Sequence, residues 1–198
     1  MDAFLGMVAH EAAAMVLVPR QLRADRAAAL RAVKSNGKAL RWLSAELRAD
    51  RAVVLEPVKV SGDALKFASD ELRGDLGVVL EAVKVSGDAL KFSSDELRAD
   101  RYVVLKAVKV SGGALRFASD ELRADRYVVF QAVRQNGMAL QYATERLKMD
   151  HDVALGAVRQ NRCAYSYVHP ELQRYHAIRE AAGLFLGFLG VDHRFEQL

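Results

Sequence analysis

Cysteine and proline are scarce in this chain, and it has no long hydrophobic run. Of 198 residues, one is cysteine and three are proline. A single cysteine cannot form a disulfide within the chain, so we expect a reducing, intracellular location, or an organellar one if a targeting segment has been removed. Cys163 itself is expected to be a small buried or half-buried residue. No stretch reaches the ~20 apolar residues of a membrane-spanning helix, which argues against a transmembrane segment.

A dominant charge of one sign is also missing. The net charge is +4, yet residues 50–99 are net acidic and lie between basic flanks. This distribution differs from the uniform basic surface of a protein built to bind polyanions. With 52% apolar and 27% charged residues, the chain can form one continuous core.

The sequence consists mostly of one 25-residue unit that recurs without a break. Aspartate stands at every multiple of 25 from Asp25 to Asp150, and the unit that begins at Asp100 reads DRYVVLKAVKVSGGALRFASDELRA. An internal period of this length is typical of stacked repeat proteins, in which each unit buries its apolar surface against its neighbours.

Each unit predicts two short helices and a linker. Asp50 precedes an apolar run of about ten residues and is placed to cap the first turn of a helix. Gly62 is expected to close that helix in the left-handed conformation and to lead into a second helix of about seven residues. The linker is expected to form one helical turn capped by the Ser69 hydroxyl. Pro57 should kink or shorten the first helix of its unit.

These units predict an all-α fold, an α-solenoid of short helical hairpins with a 25-residue period and either hand. Residues 25–174 would form six tandem repeats. Residues 1–24 would form an N-terminal capping helix, over about residues 3–17, and a half repeat. Residues 175–198 would form a C-terminal capping helix, over about residues 176–189, and a tail.

The repeated phrase [AV]VKxSGxALxFASxELRxDRxVVL resembles the repeats of the family called domain of unknown function 4116. The resemblance covers about residues 22–174, and residues 134–144 come closest to it. Arg162 departs from the pattern, because it stands where the other units have glycine. The resemblance implies a helical repeat and carries no established activity.

Catalytic and metal-binding patterns are not found. The five histidines, at positions 10, 151, 169, 176 and 193, lack the spacing of metal ligands. The phrases SGDAL and SGGAL lack the form of a phosphate-binding loop and follow a helix rather than a strand. An active site needs one constellation of residues, whereas here each serine recurs along the array. The sequence therefore predicts no enzyme, no cofactor, no metal and no small-molecule substrate.

Basic residues recur in three rows, which leaves an RNA-binding array as an alternative function. The first basic row is Lys34, Lys59, Lys84, Lys109, Arg134 and Arg159. The second basic row is Arg41, Lys66, Lys91 and Arg116, and the third is Arg48, Arg73, Arg98, Arg123 and Lys148. The first row also suits the negative ends of helix dipoles, and acidic residues accompany the third row. These two points argue against nucleic acid as the partner.

The leading hypothesis is a non-catalytic scaffold that binds another protein or a multi-subunit complex, as an accessory subunit. Recognition is expected where the exposed positions depart from the repeat, and tyrosine is common at protein interfaces. The candidate residues within the repeats are Tyr102, Lys106, Tyr127, Gln131 and Met138. Phe185 and Phe188 belong to an apolar stretch over residues 181–191, which either covers the last repeat, docks on a partner or associates with a membrane surface.

Overall fold

The computed structural model describes residues 20–184, and within that range every regular element is helical. Longer α-helices recur at a spacing of 25 residues: Arg26–Ser35 (α1), Arg51–Val60 (α2), Leu76–Val85 (α3), Arg101–Val110 (α4), Arg126–Gln135 (α5), His151–Gln160 (α6) and His176–Ala181 (α7). Six-residue 3₁₀ helices follow the first six: Gly37–Trp42 (η1), Gly62–Phe67 (η2), Gly87–Phe92 (η3), Gly112–Phe117 (η4), Gly137–Tyr142 (η5) and Arg162–Tyr167 (η6). The consecutive helices pack as a helical solenoid, which confirms the predicted fold class.

Short turns connect each 3₁₀ helix to the next long helix. They are the four-residue α-helical turns Ala45–Arg48, Asp70–Arg73, Asp95–Arg98, Asp120–Arg123 and Glu145–Lys148. Their predicted cap is present, because Ser69 Oγ accepts a hydrogen bond from the Leu72 amide at 3.4 Å. A turn over Arg20–Arg23 precedes α1, and the 3₁₀ turn Leu172–Arg174 precedes α7.

The second helix of a unit differs from the prediction in length and kind. It has six residues rather than about seven, and it is a 3₁₀ helix. In the second unit the extended residues Ser61, with φ −144°, and Ala68, with ψ 159°, bound it on both sides. Two tight turns fit between these limits, and they bury Ala64 and Leu65.

The core is one continuous band along the stack. Each long helix from α2 to α6 contacts the long helix before it and the long helix after it, and it also contacts the 3₁₀ helices beside it. Leucines at one position of the 3₁₀ helices are fully buried: Leu40, Leu65, Leu90, Leu115 and Leu140. Burying each such side chain contributes about 1.5–3 kcal/mol. A single hairpin could not enclose its own leucine, so stability arises between units.

A backbone hydrogen bond also joins consecutive units at their linkers. The Ser69 amide donates to the Arg48 carbonyl at 2.9 Å, and the Ser94 amide donates to the Arg73 carbonyl at 3.0 Å. The same bond recurs from Ser44 to Arg23, from Ser119 to Arg98, from Thr144 to Arg123 and from His169 to Lys148. Neighbouring units are thereby held in one register along this edge.

The predicted aspartate caps are confirmed from the first described unit to the last. Asp25 Oδ1 accepts from the Ala28 amide at 2.7 Å, and Asp75 Oδ1 accepts from the Val78 amide at 2.8 Å. Asp150 accepts from two amides, those of residues 152 and 153, at 3.1 and 3.0 Å. A cap of this kind stabilises its helix by about 1 kcal/mol.

The glycine that follows each of the helices α1 to α5 does not have the predicted left-handed conformation. Among residues 20–184 only Gly183 has a positive φ, of 74°. The glycine is needed for a different reason: a methyl group at Gly62 would overlap the Ala82 carbonyl oxygen of the next long helix, and one at Gly112 would overlap that of Ala132. These glycines let the 3₁₀ helix approach the neighbouring backbone closely.

Pro57 does not shorten its helix, so that part of the prediction was wrong. Helix α2 runs over ten residues, Arg51–Val60, like its neighbours. Pro57 is buried, and the helix continues past it to the Ser61 amide, which donates to the Pro57 carbonyl. The contact of the 3₁₀ helix with the long helix differs at this unit. A methyl group at Gly37 would meet the Pro57 side chain, 2.9 Å from Cβ, rather than a backbone carbonyl oxygen.

The two ends of the described segment differ in how far they test the prediction. The predicted helix over about residues 3–17 lies outside the described residues. Helix α7 starts in register at His176 and ends at Ala181, and the positive φ of Gly183 turns the chain after it. Residues 185–189 of the predicted helix lie outside the described residues. Among the helices of the described segment, none has the length and apolarity needed to cross a bilayer.

Two adjacent glycines test the role of close approach. We predict that Gly112→Ala lowers the free energy of unfolding by about 1–3 kcal/mol, because the added methyl group has no space beside Ala132. Gly113→Ala is the control, since its methyl group would find its nearest neighbour, Ser111 Oγ, at 3.7 Å. This control should be neutral or stabilising by up to about 1 kcal/mol. Urea unfolding followed by circular dichroism measures both, and equal stability of the two variants would contradict the packing argument.

Candidate functional site

Two tyrosines occupy the same exposed position on consecutive helices. Tyr102 is the second residue of α4 and Tyr127 is the second residue of α5. Their exposed fractions are 55% and 49%, although large aromatic residues are usually buried further. The preceding helices have Ala52 and Gly77 at this position. The pair therefore forms a local aromatic surface, which we call the tyrosine face.

A cation lies over each ring of the tyrosine face. Lys106 Nζ lies 5.2 Å from the centroid of the Tyr102 ring, one helical turn further along α4. The Arg101 guanidinium lies 5.2 Å from the centroid of the Tyr127 ring, across the contact between α4 and α5. A cation at this distance attracts the ring by about 0.5–1 kcal/mol at an exposed site. Both rings are therefore restrained although their surfaces are open.

Arg101 also pairs with the aspartate that caps α5. Its Nε atom lies 3.0 Å from Asp125 Oδ2, while Asp125 Oδ1 accepts from the Val128 amide at 2.9 Å. Partial burial raises the pKa of Asp125, but the bonds from Arg101 and Val128 outweigh burial, so the pKa of this carboxyl is lowered overall. Equivalent pairs join Arg26 to Asp50, Arg51 to Asp75 and Arg126 to Asp150. Leu76 stands at the arginine position opposite Asp100, so this row of pairs is interrupted there.

The remaining candidate residues are only partly brought together with the tyrosines. Gln131 takes in α5 the position that Lys106 takes in α4, and it is half-buried. Met138 lies on η5 rather than on a long helix, where it is half-buried and its amide donates to Asn136 Oδ1 at 3.0 Å. Phe185 and Phe188 lie outside the described residues.

Two glutamines that the sequence interpretation overlooked connect consecutive units at the C-terminal ends of α5 and α6, away from the tyrosine face. Gln135 Oε1 accepts from the Gly112 amide at 2.6 Å, and its Nε2 donates to the Val110 carbonyl at 3.1 Å. Gln160 makes the same two bonds to the Gly137 amide and the Gln135 carbonyl, at 2.5 and 3.3 Å. The sequence does carry a sign of these contacts, because Gln135 and Gln160 stand where the three preceding units have valine.

The three basic rows differ in whether their side chains form ion pairs with acidic residues or lie over aromatic rings. The first row is exposed at the ends of the long helices, and Lys34 lies 3.7 Å from Glu56. The second row lies over aromatic rings, as with Lys91 Nζ at 4.5 Å from the centroid of Phe92. The third row largely pairs within its own linker turn, as Arg73 does with Asp70. RNA binding by these rows stays a prediction.

Cys163 is exposed, which corrects the expectation that it is buried. It occupies the outward position of η6 that corresponds to Met138 in η5, so the core does not enclose it. Within residues 20–184, no group of three or more histidine, cysteine, aspartate or glutamate side chains is arranged to hold a metal ion.

Comparison with known proteins identifies the repeat. The model of the family described as "Domain of unknown function (DUF4116)" matches residues 50–98 and again residues 125–173. The two matches start 75 residues apart, which is three of the 25-residue steps. No curated protein and no solved structure matches the chain.

Asp125 and Asp100 provide a matched pair for the electrostatics of the tyrosine face. We predict that Asp125→Ala lowers the free energy of unfolding by about 1–2 kcal/mol at pH 7, because it removes a cap and an ion pair. Asp100→Ala removes a cap that lacks the arginine partner, so its effect should be smaller, about 1 kcal/mol.

The effect of Asp125→Ala should also depend on pH. The folded-state pKa of Asp125 is lowered, so its carboxylate stabilises the fold above the ordinary value of about 4, and this contribution disappears as the pH falls toward the folded-state pKa. Urea unfolding at pH 7 and at about pH 3 should show a smaller difference from wild type at the lower pH. An unchanged difference would contradict the lowered pKa.

Proposed function

Since the chain belongs to the DUF4116 repeat family, whose description states no activity, we propose from its surface that it is a non-catalytic scaffold that binds another protein. In this proposal it serves as an accessory subunit of a larger assembly, and the tyrosine face is its contact surface. A solenoid supports this kind of role because its stacked units present an extended surface along which a partner can lie.

The exposure of Tyr102 and Tyr127 on consecutive helices carries the proposal. Tyrosine combines a large apolar ring with a polar hydroxyl, and it is enriched among the residues that contribute most to binding. The two rings are adjacent in the stack because α4 packs against α5. Alanine, glycine and aspartate occupy the same position in the other long helices from α1 to α6, so the aromatic surface is confined to two units.

The cations over the rings support the same interpretation. Lys106 and Arg101 restrain Tyr102 and Tyr127 before any partner arrives. A side chain that is already ordered loses less conformational entropy on binding, which favours affinity. Non-catalytic action is supported by the even recurrence of polar residues, since a catalytic site concentrates its groups in one place.

The proposal predicts that Tyr102→Ala combined with Tyr127→Ala removes a partner protein. Affinity capture from the source cell with the tagged full chain, followed by quantitative mass spectrometry, identifies proteins that the wild type retains and the double variant loses. For the purified partner, binding should weaken by about 30-fold or more, as expected when two such residues are truncated.

Tyr175→Ala is the matched control for this experiment. Tyr175 is 56% exposed, lies at the far end of the stack and contacts the His151 ring edge on. The control variant should retain the partner with wild-type affinity. If the double variant captures the same proteins as the wild type with equal affinity, the tyrosine face is not the contact surface.

A further inference from the structure

Between the third and fourth units, both oxygens of one carboxylate are bound by side chains of the neighbouring unit. The equivalent place between the first two units can be compared with it. Asp88 on η3 accepts a hydrogen bond from Ser111 Oγ at 2.9 Å through Oδ1. Its Oδ2 atom lies 2.9 Å from a guanidinium nitrogen of Arg116 on η4. A hydroxyl and a cation of one unit thus bind the carboxylate of the preceding unit.

The same donors recur between the first two units, but the carboxylate does not. Ser61 and Lys66 stand where Ser111 and Arg116 stand, and the position of Asp88 is taken by Lys38. The next aspartate in this row, Asp63, is turned to the following unit, where Lys91 Nζ lies 3.7 Å from its Oδ2 atom. The first two units therefore offer two lysines and a hydroxyl at a position where the next two units each have an aspartate, Asp63 and Asp88.

A cleft opens at this same place. Gly62, Gly87, Gly112 and Gly137 are buried against the next long helix, whereas Gly37 is half-exposed and faces the Pro57 ring instead of an alanine backbone. The space between η1 and η2 forms a cavity of about 380 Å³ whose lining includes Lys38, Ser61 and Lys66. Pro57 occupies the position that alanine takes in the other long helices from α1 to α6, so the lining of this cleft differs from the equivalent place in those units.

The wall of the cleft is partly apolar. Val60 lines it and is 82% exposed, and Pro57 and Phe67 line it as well. Lys66 Nζ lies 4.8 Å from the centroid of the Phe67 ring, so the cation and the apolar wall are adjacent. A ligand that fits both features has a carboxylate next to an apolar side chain.

We propose that this cleft binds an acidic segment of a partner protein. An aspartate or glutamate of the segment binds between Lys38, Ser61 and Lys66, in the place that Asp88 occupies two units later. A neighbouring apolar side chain of the segment packs on Val60 and Phe67. Charge complementarity favours a carboxylate ligand, because the array itself uses a carboxylate at this register.

A nucleic acid fits the cleft less well than an acidic peptide. Asp63 also lines the cavity and limits how many negative charges can lie there, which favours a single carboxylate over the successive phosphates of a polynucleotide. The proposed interface lies in the first two units and uses no residue of the tyrosine face. It therefore goes beyond the proposed function, and either proposal can fail without the other.

The test measures fluorescence anisotropy of a fluorescein-labelled acidic nonapeptide, in which glutamate alternates with leucine and phenylalanine, titrated with the full chain. Saturable binding is expected. The same peptide with glutamine in place of glutamate should bind at least about tenfold more weakly, because it cannot form the charged contacts.

Three variants and one control locate the binding to the cleft. Lys38→Asp supplies the missing acid from within the chain and should weaken peptide binding by at least about tenfold. Ser61→Ala removes the hydroxyl donor and should weaken binding about threefold or more. Pro57→Ala restores the alanine of the other units, removes part of the apolar wall of the cleft and should also weaken binding. Lys84→Asp makes the same charge change at an exposed helix end outside the cleft, and binding should stay within about twofold of wild type.

The proposal is overturned if the acidic peptide shows no saturable binding to the full chain. It is also overturned if Lys38→Asp and Lys84→Asp weaken binding equally, because the attraction is then a general effect of net charge. Tighter binding of a single-stranded RNA nonamer, lost in Lys38→Asp, would instead make the cleft a nucleic-acid site. The Tyr102→Ala and Tyr127→Ala double variant should bind the peptide like the wild type.

Discussion

The architecture depends on the close approach of each 3₁₀ helix to the backbone of the next long helix. At Gly62, Gly87, Gly112 and Gly137 the space for a side chain is filled by a carbonyl oxygen of the following unit. This contact sets the separation of the units, and the separation in turn encloses the leucine of each 3₁₀ helix. The linker hydrogen bonds and the arginine–aspartate pairs form at the same spacing. Where the contact changes, at Gly37 and Pro57, the packing opens into a cleft.

Features that depend on neighbouring residues in the sequence could be predicted from it. The aspartate caps, the serine-capped linker turns and the 25-residue period each follow from local patterns, and the structure contains them. The reason for the glycines could not be predicted, because a glycine after a helix suits a left-handed turn as well as a close approach. The choice depends on an atom twenty residues further on, such as the Ala82 carbonyl oxygen near Gly62.

In the candidate sites, too, the features with a local sequence pattern could be predicted, and those that depend on contacts between units could not. The exposure of Tyr102 and Tyr127 was predictable because the buried positions of a helix recur with its period. The contact of Arg101 with Tyr127 joins two helices and had no local signal. The cleft could not be predicted, because Pro57 by itself indicates only a break in a helix and Lys38 belongs to none of the three basic rows. Only the register of Asp88, Ser111 and Arg116 shows that Lys38 stands in the place of an acid.

Arg162 changes the last described contact of the stack. It stands at the glycine position of η6, and its guanidinium group lies beside Gly183, whose positive φ turns the chain after α7. Helix α7 starts in register at His176 but has only six residues. This contact is therefore made partly by a side chain, whereas Gly62, Gly87, Gly112 and Gly137 each meet a backbone carbonyl oxygen. One arginine in place of one glycine thus frees this junction from the fixed spacing that the glycines impose on the other units.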